Sequence, residues 1–420
     1  LKSSNKKRIL VVAESIDAED SSGSKANVAL IWNLYKAGFE VLVYHYTRRT
    51  IHLEDIPCIS IKENRNSSLF LLSRIQRKLQ HTFKINLAKH LEPIFGFSFT
   101  FLNDSKSIAA ALKKEIDFQP DIILTLSKGA SFRPHHAFLQ LPEFHQKWMA
   151  YIHDPYPFHY YPEPYEWSEP GYQQKIKFFK EVAAKCKWVG YPSFLLAEWM
   201  EEHYEDFKNK RVIIPHQLNR KRKHSVVLPR WFDPERFNIL HAGNLMKQRN
   251  PFPLLNAFKK FLSKNPQANA EARLLLVGSA SYHLPDLKKM AHKIDQLFVS
   301  DGYVAYDEVM KLQEVASVNI ILESVAVISP FLPGKFPHCI AANKPILYLG
   351  PEKSEGKRLL GEDYPYRAEA DDTERISEII ELLYKEWKTS SEPSIMNWED
   401  LKYYLSKDHL KNELHKILQQ

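Results

Sequence analysis

The stretch Phe237 to Phe261, FNILHAGNLMKQRNPFPLLNAFKKF, decides how the chain is read. Phe237 to Ala242 is strand-like, Gly243 is a turn residue, and Arg249-Asn250-Pro251 leads into a helical run from Leu254 to Phe261. A strand, a glycine turn and a helix N-terminus in succession make an anion site, because unpaired backbone N–H groups and the helix dipole converge there. Arg249 adds a fixed positive charge, and Asn244 stands directly after the glycine.

Downstream the pattern repeats. Strand Arg273 to Val277 ends in Gly278, helix Asp286 to Lys293 and strand-like Phe298 to Val299 follow, and Gly302-Tyr303-Val304 precedes helix Tyr306 to Val315 with Glu308 in its first turn. Strand Val318 to Leu322, helix Phe336 to Ala342 and strand Pro345 to Leu349 complete the series. Pro333-Gly334-Lys335 opens that last helix and puts amides and an ammonium where a pyrophosphate fits. Upstream, strand Ile9 to Ala13, a turn at Ser21 to Ser24, helix Val28 to Lys36 and strand Val41 to Tyr44 form a βαβ opening. Strands Asp121 to Leu126 and Trp148 to Ile152 each run into polar or Pro-rich loops, as strands ending at a ligand crevice do. The expected fold is therefore α/β, with two Rossmann-like domains. The basic run Asn219 to His224 marks the junction, giving an N-terminal domain over 1–218, a C-terminal domain over 219–395 and terminal helices over 396–420.

Composition excludes several classes. The chain has 420 residues, above the size at which one core keeps growing, so two domains are expected. It contains no uninterrupted apolar run of about 18 residues. Leu1 to Arg8 is polar and basic, without the apolar segment and cleavage site of a secretory signal, so a cytoplasmic location is expected. Cys58, Cys186 and Cys339 are odd in number, widely spaced and in no metal-ligand pattern, so reduced, mostly buried thiols are expected. The formal charge of +8 favours anionic partners. Aromatic residues gather between Tyr151 and Tyr172 instead of alternating with Lys and Arg, which argues against nucleic acid.

The ordered series of Gly243, Arg249, Gly278, Gly302 and Lys335 resembles the retaining glycosyltransferases of the GT-B fold, specifically the family four type, over nearly the whole chain. Ser22-Gly23-Ser24 resembles the family's loop near donor and acceptor, and Gly38-Phe39 stands where Gly-His is usual. Asp154-Pro155-Tyr156-Pro157 resembles the D-x-W-P segment of bacterial members. The resemblance implies two domains facing across a cleft, with His153 and Asp154 turned toward it as catalytic residues. It assigns Gly23, Gly243, Asn244, Arg249, Gly278, Gly302, Gly334, Lys335 and His338 to the donor. It further implies transfer of a sugar from a nucleotide-diphosphate donor, a UDP-sugar above all, to a saccharide or lipid-linked acceptor in polysaccharide or glycan biosynthesis. Retention at the anomeric carbon is implied, and neither cofactor nor metal. Terminal helices over Asn397 to Leu418 would cross back onto the first domain. The chain departs from the family at His338 and Pro330, where two glutamates stand, and at Asn244, where Arg is common.

A non-catalytic nucleotide-sugar binder and a nucleotide-sugar epimerase are the alternatives. Lys128, His135 and His136, after the Asp121 to Leu126 strand, are candidates for the acceptor side. Ser68 to His90 spaces Leu72, Ile75, Leu79, Phe83 and Leu87 at helical intervals among Arg74, Arg77, Lys78, Lys84 and Lys89. This basic amphipathic helix either packs on the first domain or makes a peripheral contact with the inner face of a membrane.

Overall fold

The computed structural model describes residues 6–114, 117–218, 226–389 and 396–419. The chain divides into two compact units: residues 1–161, 166–219 and 406–420, and residues 162–165 and 220–405. The basic run at Asn219 to His224 lies outside the described residues.

The first unit holds a seven-stranded sheet among the described residues, from β1 (Arg8–Ala13), β2 (Glu40–His45), β3 (Cys58–Ser60), β4 (Ile122–Leu126), β5 (Trp148–Tyr151), β6 (Trp188–Tyr191) and β7 (Arg211–Ile213). All pairs are parallel, in the order β3-β2-β1-β4-β5-β6-β7. Its helices are α1 (Ser22–Lys36), α2 (Ser68–Phe83), α3 (Ala88–Phe95), α4 (Phe99–Leu112), α5 (Arg133–Phe138), α6 (Tyr172–Lys185) and α7 (Phe194–His203). Central strands such as β1 and β4 read as continuous apolar runs because both faces are covered.

The second unit carries β8 (Phe237–Ala242), β9 (Ala272–Val277), β10 (Leu297–Val299), β11 (Val318–Leu322), a short pair β12 (Ile328–Ser329) with β14 (Lys353–Ser354), and β13 (Ile346–Leu349) and β15 (Arg367–Ala368). Its main sheet is parallel with order β10-β9-β8-β11-β13-β15. The helices are α8 (Phe252–Lys264), α9 (Ala268–Glu271), α10 (Leu284–Ala291), α11 (Tyr306–Val315), α12 (Phe336–Ala342), α13 (Glu355–Leu360), α14 (Thr373–Thr389) and α15 (Glu399–Tyr404). The last helix, α16 (Lys407–Leu418), belongs to the first unit, where Leu410, Leu414 and Ile417 enter the core and His415 meets the Phe39 ring edge-on at 5.7 Å.

In each sheet the order reverses at one place, between β1 and β4 and between β8 and β11. Loops leaving the C-terminal ends of such strands diverge and open a crevice, the usual ligand position of an open α/β sheet.

Two expectations need correction. Ser21 to Ser24 is not a free turn: Ser21 caps α1 by accepting the Ser24 N–H at 3.1 Å, so Gly23 lies in the first helical turn. The stretch Ser68 to His90 is not one helix, because Lys84 adopts φ +53° and ends α2 before α3 begins.

Candidate functional site

At the reversal point of the second unit, β8 ends in His241-Ala242 and runs into Gly243, and β11 runs into Glu323. Gly243 has φ +145° and donates its N–H to Val277 O at 2.8 Å. Gly278, at φ +120°, packs so tightly that a Cβ there would lie 2.5 Å from Gly243 O. Only glycine allows this approach. Ser300 Oγ accepts the Gly278 N–H at 2.9 Å and lies 3.1 Å from Gly302 O, so one hydroxyl ties together the turns after β9 and β10.

Lys335 comes to these turns from the start of α12. Its Nζ lies 2.8 Å from His241 Nε2, and a Cβ on Gly243 would sit 3.1 Å from Nζ. Glycine at 243 therefore makes room for the ammonium. Burial, with Arg249 adding repulsion, depresses Lys335 to about 7, and burial, with repulsion from Lys335 and Arg249, holds His241 well below its ordinary value. Arg249 is held in a turn by its N–H to Met246 O at 2.9 Å, and its buried Nε has no hydrogen-bond partner among the described residues. A buried guanidinium donor without an acceptor is costly, and an anion would satisfy it. Glu323 is buried and receives the Ser329 and Tyr348 hydroxyls; burial pushes its carboxyl up, against the pull of those hydroxyls and of Arg249 and Lys335.

The other donor-side candidates, Asn244, Gly334 and His338, lie on the same turns and helix start. Asn244 and Gly334 are exposed. His338, one turn into α12, has Nε2 3.1 Å from the Tyr306 hydroxyl. The helix α12 has seven residues, so its cation and not a long helix dipole supplies the positive field there.

In the first unit, Asn27 of α1 organises the reversal point. Its Nδ2 donates to Ser15 O at 3.2 Å and Ser127 O at 3.0 Å, beyond the ends of β1 and β4. Its Oδ1 must then accept, and the partner is His153 Nε2 at 2.9 Å. The proton of His153 is thereby fixed on Nε2, leaving Nδ1 as the acceptor nitrogen. Burial, with His216 and His135 adding repulsion, drops His153 to about 3, so the ring is neutral. His216 stacks beside it with ring centres 6.0 Å apart. Asp154 follows, half-buried.

Glu14, buried just beyond β1, clamps the facing loop. It accepts the Lys128 N–H at 3.3 Å, the Ser131 hydroxyl, and Arg133 Nη1 at 2.6 Å. Arg133 is shared with buried Asp104 at 2.9 Å. That loop passes Gly23, where a Cβ would lie 3.2 Å from Gly129 N. Lys128 itself pairs with Asp20 at 2.6 Å.

His135 is a core residue, and His136 is half-buried against aromatic rings. The first is fully buried with Nε2 3.1 Å from Tyr151 O, and the second packs among Phe97, Phe101 and Phe178. Burial holds them at about 3 and about 4.

Sequence reasoning missed Asn27, Glu14, His216, Ser300 and Glu323. None carries a local motif, and each acts through a partner on another element.

No protein-family model matches the sequence, and no curated protein matches it. Solved structures do. A glycosyltransferase from Rickettsia africae ESF-5 is 14% identical with TM-score 0.61, covering 99% of this chain and 98% of its own. HepE from Anabaena, in complex with UDP and glucose, is 12% identical with TM-score 0.58, covering 98% and 99%. Sucrose-phosphate synthase from Thermosynechococcus elongatus is 11% identical with TM-score 0.63, covering 99% of both. The chain has the GT-B fold. At these identities the likeness carries the architecture alone.

Proposed function

We propose that the protein is a glycosyltransferase that moves a sugar from a nucleotide-diphosphate donor, a UDP-sugar, to a saccharide or lipid-linked acceptor in glycan biosynthesis, with retention. The observation that carries the reading is the pair Arg249 and Lys335 at the β8–β11 reversal, with the buried guanidinium Nε left without a partner among the described residues. A leaving diphosphate gathers negative charge as the glycosidic bond breaks, and cations fixed in advance at that point stabilise it most in the transition state. In the first unit His153, neutral and with Nδ1 as its acceptor nitrogen, receives a sugar hydroxyl and orients the ring. Asp154 stands next to it as the second catalytic candidate. UDP and glucose in the HepE complex, on the same fold, support a donor of this kind.

His338 in place of a carboxylate favours a second reading, a nucleotide-sugar binder without turnover. Neutral imidazole accepts one hydroxyl hydrogen where a carboxylate accepts two. Incubation with a panel of nucleotide sugars in water separates the readings. Slow release of nucleoside diphosphate supports transfer, interconversion of the donor sugar indicates an epimerase, and binding without either indicates a binder.

A further inference from the structure

Helix α2 is turned the opposite way from an ordinary surface helix. It packs against α4 through polar side chains: its buried residues are Ser73 and Gln76. The facing seam is polar as well, with Asn103 Nδ2 donating to Asn64 O at 3.2 Å and Ser107 Oγ accepting the Asn64 N–H at 2.9 Å. Leu69 and Phe70 in the first turn are half-buried, and the five apolar residues beyond them face out. Leu71, Ile75 and Phe83 are 61%, 46% and 62% exposed, and Leu72 and Leu79 are exposed beside them. At about 100° per residue these five fall within an arc of about 120°, with Lys78 and Arg74 along one border. Beyond Lys84 the surface continues through Ile85, Ile94 and Phe95, all exposed, and α3 buries none of its own residues.

Charge sets the occupant. From Asn64 to Leu91 the sequence contains no Asp or Glu. Arg74, Arg77, Lys78, Lys84 and Lys89 pair with no carboxylate among the described residues. A second copy of the chain would bring these cations against their own images, which is repulsive in a two-fold contact. The arc is a convex helix face and no groove, so it suits a flat apolar layer bordered by negative charge. We propose that α2 and the start of α3 dock in the interface of an anionic lipid membrane, with Leu71, Leu72, Ile75, Leu79 and Phe83 among the acyl chains and the basic side chains at the headgroups. This goes beyond the donor-site reading and stands or falls separately from it.

The test is flotation of the full chain with vesicles of phosphatidylcholine, alone or mixed with phosphatidylglycerol. Binding should need the anionic lipid and weaken with salt. Arg74→Gln with Lys78→Gln should lower the partition coefficient about 25-fold, since each basic residue near such a surface is worth a factor of about five. Leu72→Ser with Leu79→Ser should lower it roughly 100-fold while leaving the melting temperature unchanged, because both side chains already face water. Absence of binding to anionic vesicles at low salt overturns the proposal, as does equal binding to phosphatidylcholine alone. A dimer in solution that dissociates on the leucine substitutions also overturns it, by giving the face to a second copy.

Discussion

If Lys335 is depressed to about 7 and its ammonium holds the donor diphosphate, nucleotide binding must take up a proton whenever the pH is above that value. At pH 8 about nine-tenths of the resting side chain is neutral, so binding UDP should take up about 0.9 proton. Affinity should fall about tenfold per pH unit above 7, until the raised value in the complex is reached, and should be flat below it. Stability of the free protein runs the other way. The unfolded lysine, at its ordinary 10.5, binds more protons than the folded one between 7 and 10.5, so stability rises with pH across that window. Lys335→Gln keeps a donor for His241 but removes the charge. It should weaken UDP binding at pH 6.5 by about 10- to 150-fold, the scale of a hydrogen bond to a charged group, and abolish the pH slope. Calorimetric titration in two buffers of different ionisation enthalpy counts the protons directly. Zero uptake at pH 8, together with native affinity in Lys335→Gln, would refute the reasoning.

Other outcomes follow from neighbouring geometry. His153→Ala should lower turnover by roughly 10²–10³-fold with UDP affinity nearly unchanged, whereas Asn27→Ala should lower both turnover and melting temperature because it also frees Ser15 O and Ser127 O; normal turnover of the folded His153 variant removes that residue from the site. Gly278→Ala brings a Cβ to 2.5 Å from Gly243 O in a backbone conformation that disfavours alanine, and should cost about 2–4 kcal/mol in urea unfolding; a native midpoint contradicts the packing described. His135 and His153 at about 3, and His45, His136 and His216 at about 4, are held neutral chiefly by burial. Folded values below the unfolded one mean that stability is complete above pH 6.5 and is lost on acidification, each histidine adding a slope of up to about 1.4 kcal/mol per pH unit; a melting temperature flat from pH 6.5 to 4.5 would contradict this.

The architecture was legible because it repeats local signals. Apolar runs such as Ile9 to Ala13 and Leu274 to Val277 are too short for helices and end in turn residues, and the glycines at 243, 278 and 302 mark the strand ends that line the second unit's reversal. Arg249 and Lys335 were legible for the same reason, as cations beside glycine turns. What the sequence hides is partnership over long separations. Lys335 meets His241 across 94 positions and His153 meets Asn27 across 126, and no local spacing encodes either contact. His135 and His136 illustrate the converse: they follow a strand end, where ligand contacts are common, yet they pack against aromatic rings. In α2 the helical period was readable, but which face is buried depends on the polar surface of α4, a tertiary fact.

The central claim is tested most directly by the rate of nucleoside diphosphate release from one accepted nucleotide sugar, measured on the native chain and on the folded Arg249→Ala, Lys335→Gln double variant at saturating donor. The account predicts release by the native chain and a rate roughly 10²–10³-fold lower in the variant, as expected when preorganised charge at a leaving group is removed. Equal rates in the two proteins, or no release from any UDP-, GDP- or ADP-sugar by the native chain, would contradict it.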